Sequence, residues 1–403
     1  MLAILTPLTI LLALVADLMA IIAAVPVAVL LVEVVAAVAP SQKTASQQWG
    51  GPRARVAVLV PAHNEGTGVG KTIEGIATQL SVGDRLLVVA DNCTDNTAAV
   101  AAAAGAEVIQ RHDPTKVGKG YALDWGLAHL SADPPDVVIV VDADCSLDAG
   151  AITALASACV ATGRPAQALD LMIAPDHSAA DHRVAEFAWR VKNWARPLGL
   201  RRLGLPCQLM GTGMAFPWSA VRAVELATGH IVEDLRLGLD LALAGKPAVF
   251  CPSAVVTSHF PVAVSAATTQ RERWEYGHIS MISLAPRLLW LAAMRRKGGL
   301  AVLVLDMVVP PLALLALILT ATLMLTGAAA VLLGSYVGLT LAVIDLMGFL
   351  LVLLLAWLRW GRDLLPAAAL RSIGLYLLAK LALYHRLLRN GAITTWVRTA
   401  RTK

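Results

Sequence analysis

The stretch DVVIVVDAD, residues 136–144, joins a predicted strand to the strongest acid pair in the sequence. Five apolar β-formers, VVIVV, lead directly into Asp142 and Asp144, which stand one residue apart where the chain turns. Hard Mg²⁺ or Mn²⁺ prefers oxygen ligands and shares them with phosphates, so the two carboxylates are a candidate cation site. A surface turn is the alternative for such a pair taken alone.

The same pattern of apolar strands and Ala-rich helices extends on both sides of this stretch. The other strand candidates are RVAVLVPA (55–62), DRLLVVAD (84–91) and AEVIQR (106–111). The helices between them are KTIEGIATQL (71–80), DNTAAVAAAAG (95–105) and GYALDWGLAHL (120–130). Strands that alternate with helices predict parallel βαβ units, and therefore an α/β domain.

Polar side chains follow two other predicted strands at the point where each strand ends. Glu65 closes the segment PAHNE after the first strand, and Asp91 opens DNCTDNT after the second. Open α/β sheets bind ligands at the carboxyl ends of strands, so these residues are candidates for nucleotide contact. A strand-to-helix turn explains PAHNE equally well. Capping of the next helix explains Thr94 or Asp95, but it explains Asp91 less well.

Two later segments combine charged residues with a predicted helix. Glu233 and Asp234 open the amphipathic helix VEDLRLGLDLALAG, residues 232–245, where the helix dipole also favours acids. The segment QRERW, residues 270–274, sets an aromatic beside Arg and Gln just upstream of basic residues at a membrane entry. This combination suits a sugar with its pyrophosphate, and a helix with a buried Trp is the alternative.

The composition excludes a wholly soluble protein. Hydrophobic residues make up 57% of the 403 and charged residues only 15%, against about 25% charged in soluble chains. Aromatic residues are only 5%, so the apolar excess is aliphatic and suits membrane helices better than an outer-membrane barrel. The five cysteines lie far apart without a C-x-x-C motif, which predicts buried reduced thiols.

Two long apolar runs predict three membrane-spanning helices. Residues 2–32 form a run broken only by Asp17, longer than the ~20 residues that cross a bilayer, and we interpret it as a retained anchor. Residues 300–358 are long enough for two spans, and Gly327 and Gly334 bracket the expected turn. Segment 364–388 contains Arg371 and Lys380, so we expect an interfacial helix there rather than a fourth span.

The basic residues lie beside the membrane segments. From Arg359 onward the tail carries nine Lys or Arg and one acid, so the rest of the chain is net −3 although the whole chain is +5. No Lys or Arg precedes the first span, which places the N-terminus outside and the domain and tail in the cytoplasm, at the cytoplasmic (inner) membrane. Attraction to anionic membrane lipids explains this distribution, and nucleic-acid binding is excluded.

These features divide the chain into five parts. The polar segment SQKTASQQWGGPRAR ends where the composition becomes that of a soluble domain, at Val56. The predicted parts are a transmembrane helix (1–33), a linker (34–55), a cytoplasmic α/β domain (56–297), two transmembrane helices (298–360), and an interfacial amphipathic helix with a basic cytoplasmic tail (361–403).

The order and spacing of the motifs resemble those of membrane-integrated family-2 glycosyltransferases, which include the cellulose, chitin, hyaluronan and poly-N-acetylglucosamine synthases. The matching segments are PAHNE (61–65), DNCTDNT (91–97), GKGYAL (118–123), Asp142-Ala143-Asp144, GTGMAF (211–216), Glu233-Asp234 and Q-x-x-R-W (270–274). The resemblance covers residues 55–280. It implies an α/β GT-A domain, the nucleotide-diphospho-sugar transferase fold, together with α-helical transmembrane segments.

The resemblance also implies a role for each matching residue. It assigns the donor nucleotide to Glu65, Asp91, Lys119, Asp142 and Arg273, with Asp91 on the nucleobase and Arg273 facing the diphosphate. It assigns a Mg²⁺ or Mn²⁺ ion to Asp142 and Asp144. It assigns catalysis to Asp234 as the base, with Glu233 beside it. It assigns the acceptor to Gly211, Thr212, Gln270 and Trp274, with the Trp stacked under a sugar.

The implied activity is an inverting, metal-dependent transfer of a hexosyl or N-acetylhexosaminyl group, with a UDP-sugar as the favoured donor. The acceptor is a growing β-linked poly- or oligosaccharide; the alternative is single transfer to a membrane lipid such as a polyprenyl phosphate, diacylglycerol or hopanoid. An inactive scaffold subunit is a third reading. Three spans are few for a self-contained channel, which leaves a homo-oligomer or a separate export partner open.

Two positions depart from the family pattern. His63 stands where an aromatic usually precedes N-E, and Val232 replaces the Thr of T-E-D. Neither position carries the implied chemistry, and we expect His63 to pack or to form a hydrogen bond at its turn.

Overall fold

The structure is a computed structural model that describes residues 2–40, 53–175, 180–261 and 264–366, with 374, 376–378, 380–381 and 383–385 near the C-terminus. Its strands are β1 (Val56–Ala62), β2 (Arg85–Asp91), β3 (Glu107–Arg111), β4 (Val137–Val140), β5 (Ser146–Leu147), β6 (Ala166–Ile173), β7 (Met214–Pro217) and β8 (Val249–His259).

The helices of the domain occupy the connections between the strands and the segment after β8. They are α2 (Val69–Ala77), α3 (Thr97–Ala103), α4 (Lys119–Leu130), α5 (Ala151–Thr162), α6 (Ala180–Arg190), α7 (Arg196–Arg202), α8 (Trp218–Val221), α9 (Glu233–Leu243), α10 (Val264–Ile282), α11 (Ala285–Met294) and α12 (Gly298–Met307). A π-helical turn, Val191–Ala195, joins α6 directly to α7.

The strands form one mixed sheet in the order β3-β2-β1-β4-β7-β6-β8-β5. Strands β1 to β4 pair in parallel, which confirms the predicted βαβ units. Strand β7 then runs antiparallel to β4 and to β6. The sheet is therefore parallel on one side of β4 and mixed on the other.

Alternate side chains of each strand supply two cores, one on each face of the sheet. Val58 and Val60 pack with residues of α2 and α5, whereas Leu59 and Leu87 pack with residues of α4 and α9. All four side chains are fully buried. Because helices cover both faces, the central strands have continuous apolar sequences.

The loops after β1 and β2 are hydrogen-bonded to each other at the carboxyl edge of the sheet. Asn64 and Asn92 have positive φ angles of 56° and 49°, a conformation that Asn adopts more readily than most residues. The Asn64 Oδ1 accepts hydrogen bonds from the backbone N–H groups of Thr94 (2.7 Å) and Asp95 (3.2 Å). These bonds set the polar residues of the two loops side by side.

Three described helices are long and apolar enough to cross a membrane: α1 (Leu2–Val38) over Thr9–Val38, α13 (Leu312–Leu333) and α14 (Val337–Trp360). Helix α1 extends five residues past its predicted end at residue 33. Gly327 lies inside α13, and the turn between the last two spans follows Leu333, near the predicted Gly334.

The second apolar run contains three helices instead of the two predicted over residues 298–360. Helix α12 packs on α9 and α11 of the domain, and α13 begins only at Leu312. Pro310 and Pro311 separate them, since a proline has no N–H to continue a helix.

Helix α1 is joined to the domain by a buried ion network. The Arg196 Nε donates to Glu33 Oε2 of α1 at 2.7 Å, and its Nη2 donates to Asp306 Oδ1 of α12 at 2.6 Å. Gly199, one turn further along α7, lies against the backbone carbonyl of Glu33, where a Cβ would clash. The anchor and the domain therefore share one packed interface.

The described residues between 374 and 385 are helical, and Lys380 contacts the domain. This lysine is buried and forms an ion pair with Glu275 of α10. Leu378 and Leu381 are exposed at 65% and 52% on the other side. An apolar exposed face is what an interfacial helix requires. Most of the basic tail lies outside the described residues.

Candidate functional site

A cavity of about 320 Å³ opens at the carboxyl ends of β1, β2 and β4 and continues toward α7 and α12. All twelve residues that the sequence singled out line it. They are Glu65, Asp91, Lys119, Asp142, Asp144, Gly211, Thr212, Glu233, Asp234, Gln270, Arg273 and Trp274. Residues up to 209 positions apart in the chain thus meet in one site, which a sequence pattern alone could only suggest.

The acid pair has the geometry of a cation site. Carboxylate oxygens of Asp142 and Asp144 and the Sγ of Cys145 lie within 4.8 Å of one another. Burial raises the pKa of the Cys145 thiol, so the thiol stays protonated at neutral pH. Two carboxylates without a thiolate suit a hard, oxygen-preferring cation such as Mg²⁺ or Mn²⁺.

Lys119, at the first position of α4, faces the same acids. Its Nζ forms an ion pair with Asp142 and donates a hydrogen bond of 2.7 Å to the Gly211 carbonyl. Burial by itself lowers the pKa of Lys119, but the charges of Asp142 and Glu233 outweigh burial and raise it. The ammonium is therefore charged and links the β4 edge to the GTGMAF loop.

Asp91 lies at the far end of the cavity, in a buried ion pair that the sequence did not indicate. The Arg111 Nη1 donates to Asp91 Oδ1 at 2.6 Å, and both side chains are at most 8% exposed. His63 donates from Nδ1 to the Asp91 carbonyl at 2.7 Å, in agreement with the expected hydrogen-bonding role. A basic partner at the end of β3 thus positions the carboxylate.

Glu233 and Asp234 occupy the first turn of α9, with no side-chain cap on the helix. Burial and the adjacent Asp234 charge raise the pKa of Glu233 to about 7. Burial also raises the pKa of Asp234, while the ammonium groups of Lys119 and Lys192 offset part of the rise. Gly211, with φ of 93°, approaches the Asp234 carboxylate without a side chain between them.

Gln270, Arg273 and Trp274 project from α10 into the cavity. Gln270 is 4% exposed, and burial lowers the pKa of Arg273 although Glu233 and Asp142 oppose that effect. The Trp274 ring packs on Trp189 of α6 with centroids 5.1 Å apart. The α10 side of the cavity is therefore lined by two aromatic rings, Trp189 and Trp274, rather than by the single Trp expected.

Several cavity residues were missed by the sequence reasoning because no motif marks them. Asp170 on β6 is fully buried, and burial with the nearby Asp142 charge raises its pKa to about 7. Asn193 donates from Nδ2 to Asp170 Oδ2 at 2.9 Å, and Lys192 precedes it in the π-helical turn. Such turns occur frequently at functional sites, but they leave no clear sequence signal.

His278 on α10 completes the wall near α12. It donates from Nε2 to the Met307 carbonyl at 2.8 Å. Burial and the neighbouring Lys192 charge lower its pKa to about 4, so the imidazole is neutral.

The geometry agrees with a sequence comparison. A family model described as glycosyltransferase like family 2 matches residues 52–277, more than half of the chain. The chain belongs to this glycosyltransferase family. An uncharacterized glycosyltransferase of Mycobacterium tuberculosis is 31% identical over 197 residues, covering 43% of this chain and 84% of that protein. Glucosyl-3-phosphoglycerate synthase of Mycolicibacterium paratuberculosis is 36% identical over 95 residues, 22% of this chain and 28% of that protein.

Solved structures of glycosyltransferases also resemble this chain, and one of them aligns over most of its length. A Pyrobaculum calidifontis mannosyltransferase in complex with GDP-mannose and Mn²⁺ aligns over 85% of this chain and 98% of its own, with a TM-score of 0.51 and 17% identity. Glucosyl-3-phosphoglycerate synthase of M. tuberculosis with Mn²⁺ and UDP aligns over 56% of this chain and 78% of its own, with 21% identity and a TM-score of 0.38. The predicted fold class, a GT-A α/β domain with helical membrane segments, is confirmed.

Proposed function

We propose that this glycosyltransferase is an inverting, metal-dependent enzyme that moves a hexosyl or N-acetylhexosaminyl group from a nucleoside-diphosphate sugar to a glycan at the membrane. One observation carries the proposal: the acid pair, the Glu233–Asp234 pair and the Q-x-x-R-W side chains, which are distant in sequence, line a single cavity. A UDP-sugar is the favoured donor.

The donor end of the cavity supplies the charges that a nucleotide sugar needs. Asp142 and Asp144 would hold Mg²⁺ or Mn²⁺, as the oxygen donors within 4.8 Å allow. The related structures with Mn²⁺ support this assignment. When bound, the cation supplies positive charge to the diphosphate as it leaves. Arg273 assists it, and Glu65, Asp91 and Lys119 hold the nucleotide.

Asp234 is the proposed base. As the acceptor hydroxyl oxygen bonds to the anomeric carbon, its proton passes to the Asp234 carboxylate. The bond from that carbon to the diphosphate breaks, and the nucleoside diphosphate leaves with the electron pair. Attack from the opposite face inverts the centre, so an α-linked donor gives a β-linked product.

The aromatic wall supports a carbohydrate acceptor. Trp274 and Trp189 present adjoining ring surfaces near Gln270, Gly211 and Thr212, and a sugar face packs well on such rings. A second candidate is single transfer to a membrane lipid. The observation in its favour is that Arg196, which lines the cavity, is bonded directly to Glu33 of the membrane helix α1.

Transfer assays test the proposed function. Detergent-solubilised full-length protein is incubated with labelled nucleotide sugars and Mn²⁺ or Mg²⁺, and the label is followed into glycan, lipid or free sugar. We expect consumption of one donor, its loss in EDTA, and a fall of about 10² to 10⁴-fold in Asp234→Asn. Asp142→Ala is expected to be inactive.

The matched control is Asp148→Asn, because Asp148 is an exposed acid just beyond the cavity. It should keep wild-type turnover. If Asp234→Asn has the same turnover as the wild type, Asp234 is not the base. If the protein consumes no donor under any condition, this result contradicts the proposal and supports the interpretation as a scaffold subunit. A ladder of products supports chain extension, whereas one lipid-soluble product supports the second candidate.

A further inference from the structure

The described helical residues between 374 and 385 have a polar side chain on the inner face and apolar side chains on the outer face. Lys380 is 5% exposed, and Tyr384 one turn later is also buried. Leu378 and Leu381 are exposed at 65% and 52%. An apolar outer face is unfavourable in water and favourable at a membrane surface. The lysine therefore contacts protein, whereas the leucines are placed to contact lipid.

The inner face of this segment contacts both the membrane bundle and the domain. Tyr376 packs against the apolar cluster that contains Trp360 and Leu365, at the end of α14. One helical turn later, Lys380 forms its ion pair with Glu275, and its Nζ lies 5.6 Å from the centroid of the Tyr376 ring. The segment therefore bridges the end of a membrane helix and α10.

Glu275 and the cavity residues lie on different faces of α10. Four side chains of α10 line the cavity at the helical spacing i, i+3, i+4 and i+8, namely Gln270, Arg273, Trp274 and His278. Glu275 follows Trp274 by one residue, which rotates its side chain by about 100° around the helix axis, away from the other three. Lys380 thus contacts α10 from the side opposite the cavity.

The turn of α10 that follows Glu275 is fixed by the domain. Gly277 lies against Val232, where a Cβ would be 2.5 Å from Cγ1. His278 bonds to the Met307 carbonyl at 2.8 Å. The ion pair adds a contact at the residue that joins this turn to the cavity residues before it. Because desolvation offsets much of the attraction in a buried ion pair, its net contribution to stability is small, which favours a role in fixing geometry.

We propose that Lys380 is a positioning residue for Arg273 and Trp274, acting through Glu275, and that the membrane surface keeps the segment in place through its exposed leucines. The inference rests on the proposed function, in which Arg273 faces the diphosphate and Trp274 the acceptor. Lys380 itself contacts neither substrate. The continuity of the segment with the end of α14 argues for a bilayer as the partner of the exposed leucines.

Hydrogen exchange measured by peptide mass spectrometry tests the positioning without requiring turnover. Full-length protein is placed in nanodiscs of phosphatidylcholine and phosphatidylglycerol. We expect Lys380→Met to raise the exchange rate of residues 270–277 about fivefold and to leave α4 unchanged. The control is Lys71→Met, an exposed lysine of α2, which should match the wild type.

Reversal of the ion pair separates the charge interaction from packing. Lys380→Glu combined with Glu275→Lys should restore most of the protection that Lys380→Met removes. Unchanged exchange of residues 270–277 in Lys380→Met overturns the proposal. Faster exchange throughout the domain, α4 included, means that Lys380 supports the fold in general and also overturns it.

Kinetics of Lys380→Met provide a second readout. A small displacement of Arg273 and Trp274 should raise the acceptor KM and lower kcat, each by about tenfold. The Kd of UDP with Mn²⁺ should stay unchanged, because Asp91 and Lys119 lie at the sheet edge. Equal weakening of UDP binding contradicts the positioning role. If the wild type consumes no donor, the proposed function fails, and the exchange measurement still decides whether Lys380 positions α10.

The contribution of the membrane is tested by Leu378→Ser combined with Leu381→Ser in the same nanodiscs. We expect this double variant to raise the exchange of residues 270–277 as Lys380→Met does. Val82→Ser is the control, because Val82 is a fully exposed apolar residue in a domain loop. Wild-type exchange in the double variant means that the ion pair forms without the bilayer and overturns the membrane part of the proposal.

Discussion

At the scale of single residues, burial sets the protonation of the cavity acids. Burial is the largest cause of the raised pKa of Asp170, Glu233 and Asp234. A base with a raised pKa accepts a proton readily, yet it must be ionised before the reaction. The proposed base, Asp234, therefore has a pKa raised above the ordinary aspartate value by its burial.

The pH dependence of turnover follows from the direction of these shifts. Because Asp234 must be ionised, we expect kcat to fall as the pH is lowered through its raised pKa. The midpoint should lie above the ordinary aspartate value of about 3.9. A pH profile of kcat at saturating donor and metal measures it. An acid limb at or below that ordinary value would contradict the assignment.

Asp170 gives a separate prediction about stability. Its pKa is about 7 in the folded state against 3.8 ordinarily, so the folded protein holds this proton more tightly than the unfolded chain. The proton on Asp170 therefore contributes to the free energy of unfolding. This contribution is complete at low pH and is lost as the pH rises through about 7. We expect Asp170→Asn to reduce the decline of Tm between pH 5 and pH 8. An identical decline in both proteins would contradict the burial of this acid.

Gly213 in the GTGMAF loop requires the absence of a side chain. Its φ is 62°, and a Cβ would lie 2.7 Å from the Ala168 Cβ and 2.8 Å from the Val256 Cγ2. We expect Gly213→Ala to lower the free energy of unfolding by ~1–3 kcal/mol through overpacking. Gly204→Ala is the control, because φ is 71° there but nothing lies within 4 Å. Equal effects in denaturant titrations would mean that backbone strain alone matters.

Residues with local sequence signals were predicted to be near the site, whereas their partners were not. Asp142 and Asp144 follow a recognisable strand, so their position at a sheet edge could be inferred. Arg111 and Asp170 stand in strands that give no sign of which acid or amide they meet. Their contacts depend on strand order and on the π-helical turn, which sequence periodicity does not encode.

At the scale of elements, a buried ion network links α1, α7 and α12. Arg196 is 5% exposed and bonds to both Glu33 and Asp306. Removing one member of such a network leaves the other charges buried without compensation. We therefore expect the guanidinium to contribute strongly to the stability of this interface.

Replacement of Arg196 tests that dependence. We expect Arg196→Met to cost ~3–5 kcal/mol of stability, measured by chemical unfolding in detergent. Arg202→Met is the control on the same helix, since Arg202 is exposed and, within the described residues, donates to backbone carbonyls at and just beyond the end of α1. Adding Glu33→Met and Asp306→Leu to Arg196→Met should restore part of the loss. A loss no larger than that of Arg202→Met would contradict the prediction.

The elements themselves were largely predictable up to β4, and less so afterwards. Continuous apolar runs bounded by turn residues marked β1, β2 and β4, because both faces of those strands are buried. Helix α12 was merged with the spans, since its apolar composition equals theirs and only Pro310 and Pro311 mark its end. Burial against protein and burial in lipid select the same side chains, so composition did not distinguish them.

At the scale of the whole molecule, the membrane orientation remains a prediction from the basic residues. The predicted arrangement sets the N-terminus outside and the catalytic domain inside, at the cytoplasmic membrane. Helices α1 and α14 agree with this arrangement because both end at the domain. The Ala37 carbonyl near the end of α1 accepts a hydrogen bond from Arg202, and the Trp360 carbonyl at the end of α14 accepts one from Arg190.

Cysteine accessibility in intact cells measures the orientation. In a Cys93→Ser background, Tyr336→Cys lies in the exposed turn between α13 and α14, and Val82→Cys lies in an exposed domain loop. We expect an impermeant maleimide to label residue 336 in intact cells and residue 82 only after permeabilisation. The four remaining cysteines are buried and should stay unlabelled. The reverse pattern would place the domain outside.

The bond between Glu33 and Arg196 also orders the steps of biosynthesis. Glu33 is synthesised 163 residues before the arginine that neutralises it. During that interval the first helix carries an acid near its C-terminal end without its partner arginine, and the cavity lacks the residues of α7 and α12. Completion of α7 and α12 then closes the interface on α1, which is synthesised first. We therefore expect the cavity to form only after residue 196 has been synthesised, and ribosomes that stall before that residue should carry chains without a finished cavity.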